Sequence, residues 1–144
     1  MFTDPLVLWL DASDRAPDSW VVNDTLGVMH NVQGKNEQAI EHLQRSVAAA
    51  PQRSRPKIHL SLVLTDEGRT QEAIVYAQQA VKLSPDYSYP HYALAYALEH
   101  DGQIDAAIAS YEKTIAIANA DIPSYNAMGR LSVQHNRIDD AFRM

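Results

Sequence analysis

The sequence predicts an all-α protein built as a solenoid of antiparallel helix pairs. Three observations support this fold class. Residues of the same type recur every 34 positions along most of the 144 residues. Within each period, apolar residues are spaced as on the buried face of an α-helix. Glycines and prolines fall between these stretches, where one helix must end before the next begins.

Four columns of residues keep the 34-residue offset. Their members are Ala39, Ala73, Ala107 and Ala141; Gly34, Gly68, Gly102 and Asn136; Pro17, Pro51, Pro85 and Asn119; and Gly27, Ser61, Ala95 and Gly129. A period of this length is typical of repeat proteins, in which each unit packs against its neighbours. The fourth column always holds a small residue, which allows neighbouring helices to approach closely.

Each period contains two predicted helices, which we call helix A and helix B. In the first full period, helix A spans 20–32 and ends before Gly34, because glycine lets the chain leave a helix through a positive φ. Helix B spans 37–49 and ends before Pro51, because proline lacks the N–H that would continue the helix. The same pattern recurs at 54–67 with 71–83, and at 88–101 with 105–117.

The two ends of the chain contain incomplete units. Asp4 and Pro5 are typical of a helix start, and the following helix has the pattern of a helix B. At the other end, a helix B is expected to begin at Ile138, with Asp139 and Asp140 in its first turn. Neither end has a convincing polar cap. We therefore expect a slice of a longer array, or an open end covered by self-association; a frayed final helix is the alternative.

These columns resemble the tetratricopeptide repeat (TPR), a helix–turn–helix unit. The first full repeat matches at Leu26-Gly27, Gly34, Ala39 and Pro51, whereas Leu43 stands in the place of the usual aromatic residue. The resemblance implies a right-handed superhelix. It divides 1–144 into a single array with these units: 4–16, a partial repeat or a separate N-terminal helix; 20–53, 54–87 and 88–121, three full repeats; and 122–144, a truncated repeat.

The resemblance also implies where a partner binds. In this family helix A lines the concave face of the superhelix, and fixed positions of each repeat point into the groove. The positions that we select here are Asp24, Val28, Arg55, His59, Leu62, Tyr89, Tyr92, Tyr96, His100, Asn126 and Arg130. The implied function is a non-enzymatic scaffold that binds a protein or peptide segment.

Three of these residues form an aromatic stripe. Tyr89, Tyr92 and Tyr96 are three and four residues apart, so they share one face of a helix. Such a stripe is more often part of a core, but Leu94 and Leu98 already occupy the inward columns of this repeat. We therefore expect the tyrosines to face the groove, where aromatic side chains contribute strongly to binding.

One ligand class of the family is not expected. Chaperone-binding members hold a peptide's terminal carboxylate with lysine and asparagine side chains at fixed groove positions. The matching positions here are Asp24, Val28, His59, Tyr89 and Ala93. None of them is lysine or asparagine, so no such clamp is predicted.

Composition and motifs argue against other classes of function. The formal net charge is -6, whereas binding to a phosphate backbone needs a basic surface. The chain has no cysteine, no catalytic motif, and no apolar run long enough to span a membrane. We expect no catalytic residues, metal or cofactor; the compartment, cytoplasmic or periplasmic, stays open. Two alternatives remain: a spacer that self-assembles through its open ends, or the repeat section of a larger secretion-related or enzymatic protein.

Overall fold

The computed structural model describes residues 4–119 and 121–142, with side chains as far as residue 136. Within this part of the chain there are eight helices and no strand. The helices are α1 (Pro5–Arg15), α2 (Trp20–Val32), α3 (Asn36–Ala49), α4 (Ser54–Asp66), α5 (Thr70–Leu83), α6 (Ser88–His100), α7 (Ile104–Ile117) and α8 (Ile122–Phe142). The predicted fold class, an all-α solenoid of helix pairs, is confirmed.

The helices pack as consecutive pairs that stack on one another. Helices α2 and α3, α4 and α5, and α6 and α7 form the closest pairs, and each pair contacts the next. Helices α2, α4 and α6 also contact one another in turn, whereas the described parts of α3, α5 and α7 show no comparable contact. The stack is therefore tighter along the first helices of the pairs, and these helices line its concave side.

The turn inside each pair depends on a glycine. Gly34, Gly68 and Gly102 have φ values of 76°, 78° and 84°, which a residue with a Cβ adopts only at a cost in energy. The residue after each glycine then donates its backbone N–H to a carbonyl near the end of the preceding helix, at 2.8–2.9 Å. This arrangement satisfies helix-end carbonyls that would otherwise lack a partner.

Small residues set the spacing between the two helices of a pair. Ala39, Ala73 and Ala107 are completely buried. A Cβ added to Gly27 on α2 would overlap the side chain of Leu43 on α3. Close contact of this kind needs small residues at fixed positions, which explains why those columns recur in the sequence.

The last helix differs from the prediction. We expected a turn near Asn136 and a new helix from Ile138, but α8 continues from Ile122 to Phe142 without a break. Asp139 and Asp140 therefore lie within a helix and not at its start. At the three preceding turns the equivalent residue is a glycine with positive φ. Asparagine has a Cβ and keeps the right-handed helical conformation at lower energy.

At the other end, α1 packs on α2, and the side chain of Asp4 accepts a hydrogen bond from the N–H of Leu6 at 3.0 Å. It thus caps the helix as predicted. None of the described helices has both the length and the apolar character needed to cross a membrane.

Candidate functional site

A row of three tyrosines lies on α6, on the concave side of the stack. The rings of Tyr89 and Tyr92 are 6.1 Å apart and inclined by 11°, and those of Tyr92 and Tyr96 are 6.2 Å apart and inclined by 9°. Residues three and four apart lie one above the other on a helix, so the backbone itself aligns the rings. We call Tyr89, Tyr92 and Tyr96 the tyrosine row.

Two histidines extend the tyrosine row at its ends. His59 on α4 meets Tyr89 edge-on, with 6.5 Å between ring centroids. The ring centroids of His100 and Tyr96 are 4.3 Å apart, and the two rings are tilted against each other. Aromatic rings attract one another in both arrangements, and five rings from two helices thus form one continuous aromatic surface.

The tyrosine row rests on a buried fourth tyrosine. Tyr111 on α7 is almost completely buried and meets the ring of Tyr92 in a T-shaped contact at 6.0 Å. Its hydroxyl donates a hydrogen bond of 2.7 Å to Oε2 of Glu99. Burial raises the pKa of Tyr111, and the hydrogen bond to Glu99 raises it further. The hydroxyl therefore stays protonated and fixes the ring beneath the row.

The hydroxyls of the tyrosine row differ in their partners. Tyr96 donates to Oδ1 of Asp66 at 2.8 Å, and burial followed by this hydrogen bond raises its pKa. Burial also raises the pKa of Tyr92. Among the described residues, the hydroxyls of Tyr89 and Tyr92 have no hydrogen-bond partner. These two donors are available to a ligand.

Asp24 was predicted to line the groove, but its side chain is completely buried. Its Oδ1 accepts a hydrogen bond of 2.7 Å from Nδ1 of His59. Its Oδ2 lies 2.9 Å from Nε of Arg55, as an ion pair without the alignment of a hydrogen bond. A buried carboxylate needs such partners, so Asp24 acts by holding Arg55 and His59 in place. We call these three residues the Asp24 cluster.

A second charged contact lies near the other end of the tyrosine row. Glu99 on α6 has a side chain only 10% exposed, and its Oε1 forms an ion pair with Arg130 of α8. Its other oxygen accepts a hydrogen bond from the hydroxyl of Tyr111. Glu99 therefore links three helices and leaves the Arg130 guanidinium at the groove edge.

Two open pockets flank the tyrosine row. The first, of about 450 Å³, contains the exposed side of the Asp24 cluster; its lining residues are Ser54, Arg55, Ile58, His59, Ser84, Tyr87 and Tyr89. The second has about 550 Å³ and is lined by Tyr92, Tyr96, Glu99, His100, Tyr111, Pro123, Asn126, Ala127 and Arg130. Eight of the eleven predicted residues thus line one of the two pockets.

Two predicted residues lie elsewhere. Val28 is half-buried on α2 and lines neither pocket. Leu62 is also half-buried and packs against a small cluster that includes Ile58 and Ala93. Leu62 therefore contributes to packing between helices as well as to the inner surface.

Some lining residues were not selected from the sequence. Tyr87 precedes the first turn of α6 and is strongly exposed. Ser54 and Ser84 are joined by a hydrogen bond of 2.8 Å. Tyr111 occupies the aromatic position of helix B, which marks it as a packing residue; only the structure shows that its ring reaches the groove.

The groove has no arrangement typical of a metal centre. In the part of the chain that the structure describes, no three His, Cys, Asp or Glu side chains come close enough together to hold a metal ion. The site consists instead of aromatic rings, paired charges and two open pockets. Together with the stacked helix pairs, these features define a helical-repeat protein with a preformed concave surface.

The family comparisons agree with this description. Two models, both described as tetratricopeptide repeat, match residues 30–88 and 64–131. The chain belongs to the tetratricopeptide repeat family. A comparison with curated protein sequences finds no significant match.

Several solved structures share the fold. A crystal structure of MamA has a TM-score of 0.80 and 22% sequence identity, covering 99% of this chain and 91% of that one. The first TPR domain of human RPAP3 has a TM-score of 0.81 and 17% identity, covering 86% and 98%. The first TPR of Spaghetti (RPAP3), bound to the HSP90 peptide SRMEEVD, has a TM-score of 0.78 and 17% identity, covering 82% and 96%. At these identities the likeness shows the fold alone.

Proposed function

We propose that this protein is a non-enzymatic scaffold whose concave groove binds a segment of a partner protein. The tyrosine row is the observation that carries the proposal. Its rings are aligned by helix geometry, and the buried Tyr111 supports the central ring of Tyr92, so binding orders few additional side chains. A preorganised surface of this kind loses little conformational entropy when a ligand binds.

Three further observations support the proposal. Two structural neighbours are TPR domains in complex with peptides, one from HSP90 and one from HSP70. Tyrosine and arginine are enriched in the residues that dominate binding energy, and the groove contains both. The pockets at the two ends of the tyrosine row provide room for side chains of an extended segment.

The test is a selection of binding peptides from a random display library with the full chain as bait. Selected peptides are then titrated against the wild type, Tyr89→Ala and Tyr92→Ala. We expect affinity to fall about tenfold or more in either variant, as for a central interface aromatic. Tyr125→Ala is the matched control, because Tyr125 is half exposed on α8 and lines neither pocket. Peptides that bind all four proteins equally would exclude the groove as the binding surface.

A second candidate is self-assembly. Helix α1 has no buried residue, and Val7, Leu8 and Leu10 are each more than 40% exposed. A cluster of exposed apolar side chains favours association with another surface. Light scattering of the wild type and of Leu8→Glu over a concentration series tests this candidate. A monomer at every concentration in both proteins would exclude it.

A further inference from the structure

Four charged side chains of the groove form two ion pairs. Asp24 is paired with Arg55, and Glu99 with Arg130. Asp66 accepts a hydrogen bond from the hydroxyl of Tyr96, and the negative charge of Asp121 helps to raise the pKa of Tyr92. Neither carboxylate forms an ion pair within the described residues. Removing a partner from a buried charge is costly, so a charged ligand would have to compete with these contacts. The electrostatics of the groove therefore disfavour an acidic segment.

The tyrosine row has the dimensions of a platform for an extended chain. Its three nearly parallel rings follow one another at 6.1 and 6.2 Å. A polyproline II helix rises roughly 3.1 Å per residue and completes a turn in about 9 Å. The row is therefore long enough for a full turn of such a helix. Grooves lined by aromatic rings are a recurring way to bind proline-rich segments, because this conformation is extended before binding and loses little entropy.

The free hydroxyls of the row suit the same ligand. A polyproline II segment has no internal hydrogen bonds, so its backbone carbonyls need external donors. Proline provides no N–H, so the groove needs donors more than acceptors. The hydroxyls of Tyr89 and Tyr92 are donors without a partner in the described part of the chain, and they are adjacent along the row.

We propose that the groove binds a proline-rich segment of a partner protein, without acidic residues, in the polyproline II conformation. Its pyrrolidine rings pack against the tyrosine row, and the hydroxyls of Tyr89 and Tyr92 donate hydrogen bonds to its carbonyl oxygens. This inference rests on the proposed function and specifies the chemistry of its ligand.

The experiment uses the full chain labelled with ¹⁵N and four peptides, titrated by NMR into the millimolar range. The first peptide is a capped repeat of Ala-Pro-Pro. The second has the same composition but alternating D-prolines, which prevent the left-handed helix. The third replaces proline with glutamine, and the fourth is the acidic peptide SRMEEVD with a free carboxylate.

We expect the first peptide to bind at least tenfold more tightly than the other three. Tyr92→Phe should weaken the binding of this peptide severalfold through loss of a hydroxyl, and Tyr89→Ala should weaken it tenfold or more. Tyr125→Phe and Tyr125→Ala should leave its affinity unchanged. Tyr92→Phe keeps the ring and Tyr89 is 43% exposed, so neither change is expected to disturb folding; the NMR spectrum of each variant checks this.

The remaining outcomes overturn the inference in distinguishable ways. If the acidic or the glutamine peptide binds more tightly and depends on Tyr89, the ligand chemistry is wrong while the proposed function stands. Equal binding of the first two peptides excludes the polyproline II conformation. If no peptide binds, the inference fails; the display selection described above then decides separately whether the groove binds any segment.

Discussion

The carboxylate of Asp24 on α2 and the imidazole of His59 on α4 are joined by a hydrogen bond of 2.7 Å across 35 residues of sequence. Asp24 is completely buried. Because a carboxylate only accepts hydrogen bonds, Nδ1 of His59 carries the proton in this pair. The contact joins the first helices of two successive pairs and fixes one end of the aromatic surface.

Replacing Asp24 with asparagine tests the importance of this contact. Asp24→Asn removes the negative charge between Arg55 and His59 and leaves at least one of them imperfectly paired. We expect the free energy of unfolding in urea to fall by about 1–3 kcal/mol, the range for a buried polar group that loses its partner. Asp86→Asn is the control, because Asp86 is exposed, and it should have almost no effect. A loss no larger than that of the control would contradict a structural role for the Asp24 cluster.

Two glycines on first helices should respond oppositely to alanine. In Gly27→Ala the new methyl group would overlap Leu43, and we expect a destabilisation of about 1–3 kcal/mol from overpacking. At Gly129 nothing lies within 4 Å of the added Cβ. There we expect a stabilisation of about 0.5–1 kcal/mol, because alanine favours the helix over glycine. Urea unfolding of both variants measures whether each change lowers or raises the free energy of unfolding. Stabilisation by Gly27→Ala would contradict the close packing of α2 on α3.

Contacts between helices were harder to predict from the sequence than spacing along one helix. The tyrosine row was predictable because spacing along one helix fixes which side chains share a face. The burial of Asp24 was not predictable in this way, because its partners Arg55 and His59 lie on another helix. Only the packing of α2 on α4 brings them together. The continuation of α8 past Asn136 was also missed. The period predicted a turn there, but asparagine prefers the right-handed helical conformation to the positive φ that glycine adopts at the other turns.

The stacked imidazoles of His30 and His42 predict a dependence of stability on pH. Their ring centroids are 5.3 Å apart with an interplanar angle of 11°. Burial is the main factor that lowers both pKa values from 6.5, and the nearby cation Lys35 lowers that of His30 further. The folded protein therefore binds protons less readily than the unfolded chain. This contribution is fully present above the unfolded pKa and is lost as the pH falls below about 6.5.

The measurement is urea unfolding at pH 7.5 and pH 5.5 for the wild type, His42→Gln and His100→Gln. Nδ1 of His42 lies 3.0 Å from Oδ1 of Asn23, and glutamine retains an N–H donor without the titration. We expect the wild type and the His100→Gln control, whose imidazole is exposed, to lose more stability on acidification than His42→Gln. Identical losses in all three proteins would assign the pH dependence to other groups.

The hydroxyl of Tyr111 supports both the core and the groove. It donates a hydrogen bond of 2.7 Å to Glu99, whose other oxygen is paired with Arg130. Tyr111→Phe therefore leaves one carboxylate oxygen without its donor while keeping the ring under Tyr92. We expect a loss of about 1–3 kcal/mol in the free energy of unfolding. Tyr76→Phe is the matched control, because the half-buried Tyr76 makes no hydrogen bond within the described residues, and it should be nearly neutral. Equal effects of the two substitutions would contradict a stabilising role for the hydrogen bond between Tyr111 and Glu99.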